Sequence, residues 1–290
     1  MVSKDIKREL LLLEMNGVWL QDSLGLLLGI RPIIRFKVNK YSYVIFKHLC
    51  KKYKLNMTVY NYDFPKVAVI LIGRYNKRKL EKAKKADLTH DTTTIGDLLG
   101  YPDCCVSFLR NNYSKNKSLP LQTLSSSRQS KLSFLVNYLY NFDTRVSSEK
   151  MDNIRLLAEN KYSYWGTYII PHIPCSFFCD KTLGLAKDIW SAIEKEFPLK
   201  AKTIKIMLSK PIIFWNDFKF IAVSGIVKKN TIEYTDVYNV NNSIDKKLIK
   251  NINKGDKFRS TYRKSLVFKK GKEIFDIGEK SFIFNFHEAI

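Results

Sequence analysis

The sequence predicts an α+β fold, and three observations carry that expectation. Before residue 95, short apolar runs of strand character alternate with helical repeats. Helical spacing then dominates as far as residue 200. Beyond it, short β-branched and aromatic runs follow one another with turn residues between them. The expected organisation is a small α/β layer over 1–94, a helical domain over 95–200 that carries two cysteine clusters, and a basic antiparallel β domain of barrel-like form over 201–290.

The elements follow in order. Residues 3–15 form a Leu-rich helical pattern stopped near Asn16 and Gly17, and 18–28 a second helix broken by Gly29 and Pro32. A strand is expected at 33–38, a helix at 41–53, strands at 57–62 and 67–72, and a helix at 77–86. Residues 87–94 read as a polar connector. A short helix at 95–99 ends at Gly100, and Pro102 suits the first position of the next, which runs to about Asn112. Residues 114–130 read as a surface loop, 132–141 and 149–160 as helices, and 162–170 as extended chain. An amphipathic helix at 182–197 is closed by Pro198. Strands are expected at 204–208, 212–215, 218–227, 231–240, 266–269, 273–277 and 282–286.

Composition narrows the function classes. With 45% hydrophobic and 27% charged residues the chain has an ordinary folded composition. No run approaches the ~20 apolar residues of a membrane-spanning helix. The start does not read as a signal peptide, so a cytoplasmic protein without a membrane partner is expected. Five cysteines are no disulfide framework, and Cys50, in an apolar amphipathic stretch, reads as packing. Glycine-rich phosphate loops, GxGxxG, CxxxCxxC, HExxH and GxSxG patterns are all missing. A net charge of +23 attracts polyanions, although the same lysines also follow from a chain rich in Lys, Asn, Ile and Tyr.

The remaining four cysteines carry the chemistry. Cys104 and Cys105 follow Pro102; Cys175 follows Pro174, and Cys179 lies four residues on, the spacing of one helical face. A helix start offers free amides and partial positive charge, which favour thiolate, the species that binds soft metals. Zinc uses ligand pairs two to four residues apart, and Cys175 and Cys179 fit that. Adjacent side chains diverge, so Cys104 and Cys105 suit the corners of a wider four-iron (4Fe–4S) cluster. The expected cofactor is therefore a 4Fe–4S cluster, with zinc as the alternative. Packing of all four thiols and a metal-free dithiol remain open. His172 reads as a further ligand or a hydrogen-bond donor to a thiolate, and His90 and Asp91 as acid–base groups of the same site.

The run Leu98-Leu99-Gly100-Tyr101-Pro102-Asp103-Cys104-Cys105, followed by His172, Pro174, Cys175 and Cys179, resembles an uncharacterised prokaryotic family, mostly archaeal, with a Gly-Tyr-Pro-x-Cys-Cys signature. The resemblance implies that the cysteines act as a unit. It implies no particular activity.

Residues 246–272 are strongly basic, and Tyr262 and Phe268 interleave the cations. Lys257, Arg259, Arg263 and Lys264 are the expected contacts to RNA, by phosphate pairing and base stacking. Lysines defending a sheet edge give the same pattern. The functional expectation is an iron–sulfur protein, an enzyme doing redox, sulfur or Lewis-acid chemistry on an anionic substrate such as RNA. The alternatives are a zinc-stabilised nucleic-acid-binding module and a metal-free thiol–disulfide protein.

Overall fold

The structure, a computed structural model, describes residues 4–15, 19–38, 40–63, 67–74, 77–113, 118–126, 132–141, 168–217, 219–238, 244 and 246–287. Along the chain the elements are α1 (Lys4–Met15), α2 (Leu20–Leu27), β1 (Ile33–Val38), α3 (Lys40–Lys52), β2 (Asn56–Asp63), β3 (Val67–Gly73), α4 (Lys77–Leu88), α5 (Thr92–Leu98), α6 (Asp103–Asn112), α7 (Leu119–Ser125), β4 (Leu132–Ser133), α8 (Asp180–Glu196), α9 (Pro198–Leu208), β5 (Ile212–Asn216), β6 (Lys219–Lys228), β7 (Thr231–Tyr238), α10 (Lys246–Asn253), β8 (Lys257–Ser260), β9 (Ser265–Lys269), β10 (Lys272–Asp276), β11 (Phe282–Phe284) and β12 (Phe286–His287). The class is α+β, as expected. The chain divides into two compact units, one of Met1–Asn116, Ile169–Cys175 and Cys179–Lys202, the other of Lys117–Tyr168, Ser176–Phe178 and Thr203–Ile290.

The first unit is built on a three-stranded antiparallel sheet of order β1-β3-β2. Its central strand β3 is apolar on both faces because both are covered. Ala68, Ile70 and Ile72 point one way, onto Leu13 of α1, Leu26 of α2, and Phe46 and Leu49 of α3. Val69 and Leu71 point the other way, onto Leu80 and Ala83 of α4 and onto Leu99. Cys50 packs in the first of these layers, where burial pushes its thiol up to about 11.

The second unit holds a seven-stranded antiparallel sheet of order β10-β9-β8-β7-β6-β5-β11. It stays open, so the barrel-like form expected from the strand count is corrected. Closure would need β10 to pair with β11. The latter is only three residues long, and exposed Lys272 and Glu273 lie along the former. Helix α10 lies where the sequence suggested only a basic stripe. Its Leu248 and Ile252, four residues apart, pack on sheet residues that include Ile232, Phe258 and Val267.

Three further expectations are corrected. Residues 204–208 are the end of helix α9, because Pro198 starts a new helix as well as closing the old one. Buried Ala201, Ile204 and Leu208 form its inner face. Residues 132–141 are a two-residue strand and two 3-10 turns in place of a helix. There, buried Asn137 donates to the Leu208 carbonyl (2.9 Å) and accepts from Leu139 N–H (3.3 Å), a local competition that suppresses helix. Within the loop expected over 114–130, α7 forms behind the N-cap Ser118. The helix expected at 149–160 and most of the extended run at 162–170 lie outside the described residues. No described helix is long and apolar enough to cross a membrane.

Candidate metal centre

The tight junction between α5 and α6 positions the first pair of sulfurs. Gly100 N–H donates to the Asp97 carbonyl (3.1 Å), and Tyr101 N–H reaches back to Gly96 (3.0 Å). This Schellman closure needs a left-handed residue, and Gly100 supplies it at φ +76°. A Cβ there would sit 2.6 Å from Pro32 Cδ. Pro102 then caps α6, its carbonyl accepting from Cys105 N–H (2.8 Å) and Val106 N–H (3.0 Å). Cys104 and Cys105 therefore fall in the first turn, as expected.

Beneath the junction, Tyr101 is held on two sides. The Arg31 guanidinium lies 5.1 Å from its ring centre, and the His172 ring stacks on it at 4.9 Å. Arg31 is itself buried. It pairs with Asp22 (3.0 Å) and donates to the Leu99 carbonyl (3.2 Å). A buried ion pair is costly to break, so it fixes the loop before α6.

The second pair arrives differently from the expectation. Residues 171–178 are irregular, and α8 begins only at Asp180, with Cys179 as its N-cap. Pro171 and Pro174 keep the residues before them out of the helical region. Cys175 and Cys179 thus do not share a helical face. Their sulfurs converge all the same.

Cys104 Sγ lies 3.9 Å from Cys105 Sγ and 3.5 Å from Cys179 Sγ, and Cys105 Sγ lies 3.7 Å from Cys179 Sγ. All four sulfurs, Cys175 included, fall within 4.8 Å of one another. Adjacent Cys104 and Cys105 therefore do close on one point, against the divergence expected of neighbours in sequence. Helices α6 and α8 both begin at this cluster, so their partly positive ends meet there, and Lys181 bridges to Asp103 (3.6 Å) between them.

The sulfurs are not equivalent. Cys105 Sγ accepts from Cys175 N–H (3.3 Å) and lies 3.2 Å from Thr182 Oγ1. Burial nevertheless pushes its thiol well up, and it pushes that of Cys175 up to about 12. Burial opposes ionisation of Cys179 too, but hydrogen bonding by Thr182, Cys104 and Cys175 together outweighs it and holds that thiol below its usual value. Four thiolates this close repel one another, so a full set requires a cation. The group could hold a metal ion.

No protein-family model, curated protein or solved structure matches this chain. The centre is therefore read from its own geometry.

His172 is not one of the grouped ligands. It acts one step behind them, its Nε2 lying 3.1 Å from Thr182 Oγ1. With Cys105 as thiolate, the Thr182 hydroxyl donates to sulfur and accepts from Nε2–H. That leaves Nδ1 as a lone-pair atom, and Nδ1 is the buried nitrogen without a partner. Burial, with the Arg31 charge second, holds this histidine down to about 3 and so neutral. Thr182 was missed in the sequence; its one signal is the position three residues after Cys179, where a cap partner sits.

His90 and Asp91 have other surroundings. His90 occupies the left-handed position after α4 (φ +55°). It lines a cavity of about 520 Å³ with Asp87, Arg110 and Tyr113, and no cysteine lines that cavity. Asp91 caps α5, accepting from Thr94 N–H (3.0 Å). On the second unit's sheet, Lys257 pairs with Glu233 (3.5 Å) and Lys264 with Asp276 (2.5 Å). The Arg259 guanidinium lies 5.1 Å from the centre of the Phe268 ring. Arg263 sits in the turn between β8 and β9, beside Tyr262, which is 84% exposed under Lys280.

Proposed function

We propose that this chain is a metal–thiolate protein in which Cys104, Cys105, Cys175 and Cys179 hold one tetrahedral ion of the zinc class. The sulfur spacing carries the reading. A metal–sulfur bond of about 2.3 Å sets the edge of a regular thiolate tetrahedron at roughly 3.8 Å. Three of the pairs here, at 3.5, 3.7 and 3.9 Å, bracket that edge, and all four sulfurs fall within 4.8 Å of one another. In a four-iron cluster each thiolate stands off its own iron, so the set must spread wider. The spacing thus favours the zinc alternative over the iron–sulfur cofactor expected from the sequence.

In this reading the ion joins the start of α6 to the start of α8 and stabilises the first unit, since metal affinity for a folded site is folding free energy. The Gly-Tyr-Pro-x-Cys-Cys resemblance becomes a shared way of building the arm: a left-handed glycine, an aromatic anchor, a capping proline and two first-turn thiolates. A second reading, contact with single-stranded RNA, is supported by exposed Tyr262 beneath Lys280. Pairing of Lys257 and Lys264 with carboxylates narrows that surface to Arg259, Arg263 and Lys280.

Metal and acid-labile sulfide analysis of protein prepared without oxygen tests the main reading. One zinc-class ion per chain without sulfide is expected. Brown protein carrying iron with matching sulfide would restore the iron–sulfur cofactor.

A further inference from the structure

We propose that Cys104 is the reactive ligand of this centre. Its thiolate leaves the ion and attacks a soft carbon electrophile, while Cys105, Cys175 and Cys179 stay bound. The inference rests on the single-ion reading above and adds to it an open coordination position and a substrate class.

Access comes first. Cys104 is exposed, Cys175 is half-buried, and Cys105 and Cys179 are 2% and 8% exposed. A reagent from solvent therefore meets Cys104 Sγ before the others.

Hydrogen bonding points the same way. Cys105 has Cys175 N–H and the Thr182 hydroxyl as donors. Among the described residues, the hydrogen-bond neighbours of Cys104 Sγ are other sulfurs. A donor draws charge from sulfur and lowers its nucleophilicity, so Cys105 is the slowest, and among the others exposure selects Cys104.

The donors also cannot change sides. Thr182 is fully buried and tied to His172, whose ring is clamped against Tyr101. They keep Cys105 as an anchor, and burial keeps Cys179 as another.

The step balances without an oxidant. The Cys104 Sγ lone pair forms a bond to carbon, the bond from carbon to its leaving group breaks, and the leaving group departs with that pair. The product thioether is neutral and a poor ligand. Water takes its place on the ion, giving the open position that catalytic zinc sites keep. The substrate class is an alkylating electrophile that approaches from solvent.

Iodoacetamide on the metal-loaded full chain, followed by timed peptide mapping and metal analysis, tests this. Cys104 should be carbamidomethylated roughly tenfold faster than the other three ligands, with the ion still bound after one modification. The Cys104→Ser variant should lose the fast phase and, with one thiolate fewer, hold its ion more weakly. Equal or faster reaction at Cys175, or protection of all four until the ion is chelated, would overturn the inference and leave the single-ion reading standing. Protein that carries no ion at all would overturn both.

Discussion

Cys179 serves two tasks that can be separated at the level of one atom. As the N-cap of α8 it starts a helix, and as a thiolate it completes the sulfur cluster. Serine caps better than cysteine but is a poor soft-metal ligand. Cys179→Ser should therefore leave helix content unchanged by circular dichroism and weaken metal binding by more than the roughly 10–100-fold typical of losing a supporting partner. Unchanged affinity would remove Cys179 from the ligand set. His172 makes a second residue-scale prediction. Its folded-state value is about 3 against 6.5 in the unfolded chain, so below pH 6.5 unfolding takes up a proton that the folded state refuses. Stability is thus complete above pH 6.5 and falls by roughly 1.4 kcal/mol per pH unit below it. Denaturant titrations of metal-free protein at pH 7 and pH 5 should show this loss, and His172→Gln should abolish it. Equal slopes in both proteins would mean that the ring is not buried neutral.

At the scale of elements, the α5–α6 junction decides where two of the sulfurs point. A Cβ on Gly100 meets a proline ring carbon, and an L-residue there is strained at φ +76°. Gly100→Ala should cost on the order of 2–3 kcal/mol in the metal-free chain and weaken metal binding as well. A loss below about 0.5 kcal/mol would show that the junction can relax. This arm was legible in the sequence because each of its devices is local: glycine after a helix, proline before the next, cysteines in the first turn. The other arm was not. Spacing of four between Cys175 and Cys179 suggested one helix, but Pro171 and Pro174 keep that stretch irregular, and α8 waits until Asp180. Helix α9 hid for a related reason. Pro198 ends one helix and begins another, and only the buried face of Ala201, Ile204 and Leu208 distinguishes that outcome from a strand.

On the scale of the whole molecule, the strands of the C-terminal sheet were mostly readable from alternation. Whether the sheet closes was not, since closure depends on pairing between its two outermost strands. Convergence of Cys104 and Cys105 with residues some seventy positions away was likewise invisible to periodicity, although the clustering of cysteines hinted at it. What joins the arms in space is non-local: the Arg31–Asp22 pair, the Tyr101–His172 stack and the Thr182 bridge. The charge of +23 has a similar limit, because surface carboxylates answer some of the lysines one by one. The centre itself is most directly tested by X-ray absorption at the edge of the bound metal. A single shell of sulfurs at about 2.3 Å, with no metal–metal scattering, is expected. A short metal–metal path, or a nitrogen in the first shell, would contradict four thiolates on one ion.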